Sequence, residues 1–387
     1  MSSTLDVDLR PGFGLGLFEL GTSLWTVLDL LRHNTTLFPR VDVKYDPDAS
    51  TSTPIILHIH PHLDLLFTGQ QQRLRTIALR RLHDPNPPVC LQYRDSILSS
   101  SREMLRRGDV SRHFGPTYPG DGLQYPGVSF LFEEDGVTEG LKSGNAGKDD
   151  RSREVKRVIV TQSSPDNTGS DALDEVSECS SMAGDLRQAT VKVHDGVILH
   201  FFPSTSSPVH VRIGVTSAQD LNCDLGAPLR IYYKEDERMT IHSRNRTPDS
   251  SDDACDARSF LHFYNYFQYG IDFLISSSTH LVQKIILHTN IPGTPMFQRY
   301  QRCPWEIEGE PEDEEDDAPP TVRFSDKYDI ISRFLSRSAR EQVPSMQLDR
   351  TEDDRLTLPS STTRLVGFDG VILEVTEAAQ IATVMLF

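Results

Sequence analysis

One pattern recurs along this chain and constrains its fold more than any other feature. From Gly270 the sequence runs GIDFLISSSTHLVQKIIL, an apolar strand, a polar turn and a second strand carrying Val282, Ile285 and Leu287. From Gly370 it runs GVILEVTEAAQIATVML and closes on Ile381, Val384 and Leu386. From His62 it runs HLDLLFTGQQQRLRTIAL and closes on Leu74, Ile77 and Leu79. The distances from opener to closing triplet are 12, 11 and 12 residues in that order. A fourth copy opens at Gly127 with GVSFLFEED, and its closing triplet, Val155, Val158 and Val160, is displaced by an insert. Side chains alternate between faces of a strand, so each copy reads as a hairpin with one buried face.

A helical signal precedes each hairpin. Leu24, Val27, Leu28 and Leu31 share a helical face behind Thr22-Ser23, and Ala218, Leu221 and Leu225 do so behind Thr216-Ser217. Ser217 with Asp220 has the spacing of a capping box. Tyr328, Ile331, Phe334 and Leu335 follow Ser325-Asp326, and the weakest case, Ser111-Arg112-His113-Phe114, runs into Gly115-Pro116. Leu225-Gly226-Ala227-Pro228 is likewise a helix stop, followed by the strand-like Leu229-Arg230-Ile231-Tyr232-Tyr233. The expected fold is α+β: about four tandem repeats, each of one helix and a small antiparallel hairpin sheet, sharing a core because none is large enough alone. Their boundaries are 11–86; 88–200, with a disordered insert at 136–188; 209–305, with a polar insert at 244–258; and 320–387, after an acidic linker at 306–320.

Charge narrows the partners. The net charge is −17, but residues 306–317 hold nine acids and residues 249–256 four, with no base in either. Without these runs the net falls to −4, so the folded part is near balance and has no stripe of bases for nucleic acid. The five cysteines are Cys90, Cys179, Cys223, Cys255 and Cys303, widely spaced and without a Cys-x-x-Cys, which reads as reduced thiols. The opening residues lack the basic and apolar regions of a secretory signal, and no apolar run is long enough to span a bilayer. A cytoplasmic protein is expected.

Tests for chemistry come back empty. Gly12-Phe13-Gly14-Leu15-Gly16 has Leu17 where a dinucleotide loop needs glycine, and no phosphate-loop, serine-hydrolase or zinc-protease motif occurs. His58, His60 and His62 bracket Pro61 and are expected as edge or turn residues, with metal ligation the alternative. Arg73, Arg75, Arg80 and Arg81 form a small basic cluster, expected as an ion-paired sheet face, with anionic lipid contact the alternative. The run Phe263-Tyr264-Asn265-Tyr266-Phe267 would place the tyrosines and phenylalanines on opposite strand faces, one available for packing and one for a partner. No cofactor, no metal and no catalytic group is expected.

Several longer phrases carry a resemblance. They are PGFGLG (11–16), FELGTSL (18–24), FPRVDVKYD (38–46), FGPTYPG (114–120), YPGVSF (125–130), TSAQDL (216–221), LGAPLRIYYKEDERMTIHS (225–243), YNYFQYGIDFL (264–274), KIILHTNIPG (284–293), and Tyr300-x-Arg302-Cys303-x-Trp305. In this order they resemble the phagosome assembly factor 1 family, the chain having the look of a divergent, fungal-type member. Two long polar inserts and the acidic run depart from the family pattern, as does Leu358-Pro359-Ser360-Ser361 in place of Asn-Pro-Phe-Gly. The resemblance implies a non-enzymatic adaptor in macroautophagy. Its partner would be a β-propeller protein resembling the breast carcinoma amplified sequence 3 product. Its site of action would be the phagophore assembly site, with phosphoinositide membranes reached indirectly through that partner. The alternative it implies is a trafficking factor between Golgi and plasma membrane, seated at the trans-Golgi network. Tyr264, Tyr266, Arg302 and Trp305 are the candidate partner-binding residues.

Overall fold

The computed structural model of the chain describes residues 5–80, 82, 88–117, 122–132, 150–163, 175–234, 261–309, 319–336, 344–349 and 362–387. The insert at 244–258 and most of the acidic run lie outside the described residues, as do parts of the insert at 136–188 and the phrase at 358–361. The chain divides into two compact units, Met1–Met182 and Ala183–Phe387.

In the first unit, strands β1 (Leu5–Arg10), β2 (Gly14–Leu15) and β3 (Phe18–Glu19) lead into helix α1 (Leu24–His33). A meander follows: β4 (Val41–Lys44), β5 (Ile55–Ile59), β6 (Leu63–Phe67) and β7 (Leu74–Leu79). Then come β8 (Val89–Tyr93), β9 (Ser96–Ser99), α2 (Arg107–Phe114), β10 (Gly122–Tyr125), β11 (Val128–Phe132) and β12 (Val155–Thr161). They form a five-stranded sheet, β3-β2-β1-β8-β9, and a seven-stranded sheet, β10-β11-β12-β7-β6-β5-β4.

The second unit repeats this plan. Its elements are β13 (Leu186–Lys192), β14 (Gly196–Phe201), β15 (Val209–Arg212), α3 (Ala218–Leu225), β16 (Arg230–Lys234), β17 (Leu261–Tyr266), β18 (Ile271–Ser276) and β19 (Val282–His288). They continue as β20 (Trp305–Glu308), β21 (Thr321–Arg323), α4 (Tyr328–Leu335), β22 (Ser345–Asp349), β23 (Thr362–Phe368), β24 (Val371–Val375) and β25 (Ile381–Leu386). The sheets are β15-β14-β13-β20-β21 and β16-β17-β18-β19-β25-β24-β23-β22.

This corrects the expected α+β array of helix-and-hairpin repeats. Among the described residues strand makes up 45% and helix 13%, so they are mostly β-sheet, organised in four large sheets. The hairpins at 62–79, 127–160, 270–287 and 370–386 do form, as β6–β7, β11–β12, β18–β19 and β24–β25. They do not close small sheets of their own, because a hairpin alone leaves strand edges unpaired. Instead β7 pairs antiparallel with β12, and β19 with β25. Parallel pairs join β1 to β8 and β13 to β20.

Local sequence accounts for the elements themselves. Helix α1 starts where the Ser23 side chain accepts the Thr26 N–H at 3.2 Å, and it buries Leu24, Val27, Leu28 and Leu31. Helix α3 starts with a reciprocal cap: Asp220 N–H donates to Ser217 Oγ at 3.2 Å and Ser217 N–H to Asp220 Oδ2 at 2.9 Å. The Ser217 N–H and the Ser217 hydroxyl, both donated to Asp220 Oδ2, hold that carboxyl below its ordinary range. In the second unit one core joins the five-stranded sheet (Ala189, Val191, Leu199), α3 (Leu221, Leu225), α4 (Ile331) and alternate residues of the large sheet, among them Phe273, Ile285, Leu287, Leu373 and Val384.

The glycine that opens β18 has a steric reason. Gly270 sits at φ +68°, and a Cβ there would lie 2.2 Å from the Gln301 carbonyl oxygen and 2.9 Å from the Cys303 nitrogen. Gly214, at φ +75°, has nothing within 4 Å of the same position. Gly270→Ala must therefore move backbone as well as strain φ. In urea unfolding it is expected to lose clearly more stability than Gly214→Ala, whose cost is the left-handed φ alone, ~1–2 kcal/mol. Equal losses would contradict the close approach of residues 301–303.

Candidate functional site

Three of the four candidate partner-binding residues are interior. Tyr266 has no exposed surface, and its hydroxyl donates to the Gly226 carbonyl at 2.8 Å. Burial, with Tyr264 and Tyr269 nearby, pushes its ionisation well above the ordinary phenol value. Trp305 is equally enclosed and donates Nε1–H to Thr289 Oγ1 at 3.0 Å. Arg302 is buried, donates Nε–H to the Thr289 carbonyl at 2.8 Å and lays its guanidinium 5.5 Å from the centre of the Phe324 ring. Side chains so enclosed hold the fold together and present nothing to a partner, which corrects the expectation for these three. Tyr264 is half-buried and pairs with Ile231 of β16 at the side of the large sheet.

Around them lies a closed polar cluster. Asp272, on the face of β18 away from the core, accepts from Asn265 Nδ2 at 2.7 Å and from the Tyr300 hydroxyl at 2.7 Å, with His288 Nε2 at 2.9 Å. The His288 and Tyr300 rings stack at 3.7 Å. Burial and the Asp272 charge push the Tyr300 phenol above its ordinary range. Glu374 accepts from Thr363 at 2.8 Å and from Thr383. Beside these groups is a cavity of about 20 Å3, lined by His288, Tyr300, Glu374 and Thr383 among others. That holds about one water and falls far short of a metabolite site. The cluster ties residues 289–304 down onto the sheet.

Asp64, the second residue of β6 as Asp272 is of β18, has the same kind of setting: His58 Nδ1 at 2.5 Å and Arg80 Nε at 2.8 Å. The signal in sequence is a lone acid in the second position of an otherwise apolar hairpin strand, Leu63-Asp64-Leu65 and Ile271-Asp272-Phe273. Among the described residues no group of three His, Cys, Asp or Glu is placed to hold a metal. His60 instead meets Asp42 at 2.7 Å, and His62 is buried. Of the basic cluster, Arg73 and Arg75 are buried; Arg81 lies outside the described residues.

The exposed feature is the edge of the large sheet. Among the described residues strand β16 pairs with β17 on one side and ends the sheet on the other. Leu229 is 58% exposed, Ile231 43%, Tyr232 49% and Tyr233 60%, so the edge shows apolar and aromatic groups on both faces. On the core-side face Tyr233, His262 and Tyr264 form a row with ring centres 5.5 and 5.4 Å apart. On the other face the Arg230 guanidinium lies 5.5 Å from the Tyr232 ring centre. Burial and the neighbouring His280 lower the His262 pKa, keeping that imidazole neutral beside the aromatic row. The matching strand of the first unit, β4, is half-buried over Val41–Val43 and carries Asp42, bonded to His60 and Arg40. Charge is the usual protection of a free edge; β16 has Arg230 and Lys234 at its ends and exposed Ile231, Tyr232 and Tyr233 between them.

The geometry defines a two-unit β-sheet protein with an open, apolar-edged sheet and a closed interior polar cluster. The chain belongs to the phagosome assembly factor 1 family, whose model matches residues 14–387. It is 27% identical to a PHAF1 protein of Arabidopsis thaliana, over 98% of this chain and 92% of that protein. It is 26% identical to one of Drosophila melanogaster, over 99% and 94%, and 24% identical to one of Caenorhabditis elegans, over 96% and 90%. No solved structure matches the chain.

The cluster makes a measurable claim. Asp272→Ala leaves the Asn265, Tyr300 and His288 donors inside without their acceptor, at ~1–3 kcal/mol for each group left unsatisfied. Urea unfolding of the full chain is expected to show a loss of at least about 3 kcal/mol. A loss under ~1 kcal/mol would mean that the cluster is not closed to water.

Proposed function

We propose that this chain is a non-enzymatic cytoplasmic adaptor of macroautophagy that docks on a β-propeller protein through strand β16. Family membership supports the role in phagosome assembly. The observation that carries the docking mode is the edge of β16, unpaired among the described residues, with Ile231, Tyr232 and Tyr233 exposed on it. An open edge recognises an extended segment by adding it as a further strand, the backbone supplying affinity and alternate side chains supplying selectivity. Exposed tyrosines are also common anchors of protein interfaces. The edge lies within the 225–243 phrase by which the chain resembles its family. Recruitment to the phagophore assembly site together with the propeller, resembling the breast carcinoma amplified sequence 3 product, follows from this reading.

Capture of the purified propeller by the full chain tests it. Ile231→Asp with Tyr233→Asp removes two anchors and places acids on the edge, and is expected to weaken capture at least thirtyfold, the equivalent of ~2 kcal/mol at a hot spot. Met346→Asp, at the opposite edge of the same sheet, is expected to leave capture intact. Unchanged capture by the β16 variant would reject the docking edge.

A further inference from the structure

We propose that the first unit also touches membranes directly, through a ridge of arginines that binds the surface of an anionic phospholipid bilayer. The ridge is built from two segments distant in sequence. Leu105 accepts the Val155 N–H at 2.9 Å, Arg107 donates its N–H to the Arg153 carbonyl at 2.9 Å, and Arg106 faces Glu154 in an antiparallel bridge. The stretch 105–107 is thus laced beside 153–155. Ahead of it the chain makes a fixed turn, with Ser100 Oγ accepting the N–H groups of Arg102 at 3.3 Å and Glu103 at 3.2 Å.

Charge is concentrated there. Residues 102–113 and 151–157 hold eight Lys and Arg against three acids, a local +5 in a chain whose net charge is −17. Two of the acids are engaged inside the ridge. Asp109 meets Arg112 at 3.2 Å and the Arg106 N–H at 3.3 Å, and Glu154 meets Lys156 at 2.9 Å. Arg107 and Arg153 converge on one ring, their guanidinium carbons 5.2 and 5.6 Å from the centre of Phe132. Arg102, Arg106, Arg151 and Arg157 are exposed. Arg106 and Arg107 also occupy the N-cap and first position of α2, the positive end of the helix, where acids are favoured. Like charge gathered against its own field is relieved by an external layer of anions.

The occupant is argued from what stands among the arginines. Met104, 55% exposed, projects from the turn between Arg102 and Arg106. An apolar tip ringed by guanidiniums matches the headgroup boundary of a bilayer, where the tip enters the acyl region and the cations meet phosphates. An acidic protein surface would satisfy the charges and leave the tip in water. This contact adds to recruitment through the propeller and does not depend on it.

Sedimentation of the full chain with phosphatidylcholine vesicles, with and without phosphatidylserine, tests the proposal. Binding is expected on the anionic vesicles alone and should fall steeply between low and physiological salt, as screening shortens the reach of surface charge. Arg102→Glu, Arg106→Glu and Arg151→Glu together are expected to weaken it by at least a hundredfold, at roughly fivefold for each arginine removed. The three matching Arg→Lys changes should retain it, and Met104→Ser should weaken it at unchanged charge. Arg333→Glu, exposed on α4 of the second unit, serves as the charge control. An unchanged melting temperature confirms that each variant folds. Failure of the wild-type chain to sediment with anionic vesicles would overturn the proposal, as would sedimentation indifferent to the triple variant. Capture of a polyglutamate probe without any vesicle binding would reassign the ridge to an acidic protein and overturn it equally.

Discussion

The antiparallel pairing of β19 with β25 is the contact on which the second unit depends. Ile285 stands opposite Leu386 and Leu287 opposite Val384, all four buried. These residues lie about a hundred positions apart in the chain. Loop entropy must be met before such a contact forms, a cost that the local hairpins do not carry. Once formed, it joins two four-strand runs into one eight-stranded layer and lets alternate residues from both reach a common core. The β7–β12 pair does the same in the first unit, with Ile77 opposite Val160.

The lone acids of the hairpins follow from this arrangement. A sheet face turned away from the core still has to be covered. In the second unit the cover is the run 289–304, held by Asp272 beneath it and by Arg302 and Trp305 at Thr289. A buried acid is tolerated when its lone pairs are filled, and Asp272 has three donors within 3 Å. Exposed pairs such as Arg10–Glu19 contribute little beside it. The polar groups around Asp272 are therefore engaged with one another.

Much of the local structure was legible in the chain itself. The hairpin pattern marks all four strand pairs, Ser23 and Ser217 mark the helix starts, and the stretch 229–233 contains the edge strand. Pairing between hairpins was not legible, because residues such as Leu287 and Val384 carry no label for one another beyond being apolar. That gap is why helix-and-hairpin repeats were expected where continuous sheets are found. Trp305 and Arg302 look like surface anchors by residue type, and only the fold reveals their bonds to Thr289. The exposed edge was half legible: Tyr264 lies beside it, while Ile231, Tyr232 and Tyr233 read in the sequence only as strand. The arginine ridge was hidden because its two halves are separated by an insert.

If long-range pairing holds the second unit together, its large sheet opens as one body. Hydrogen exchange of the full chain, read residue by residue under native conditions, tests this most directly. The bonded amides of β17–β19 and of β23–β25 are expected to share one slow opening free energy. Exchange of β23–β25 that runs to completion while β17–β19 stays protected would show separate modules and contradict the account.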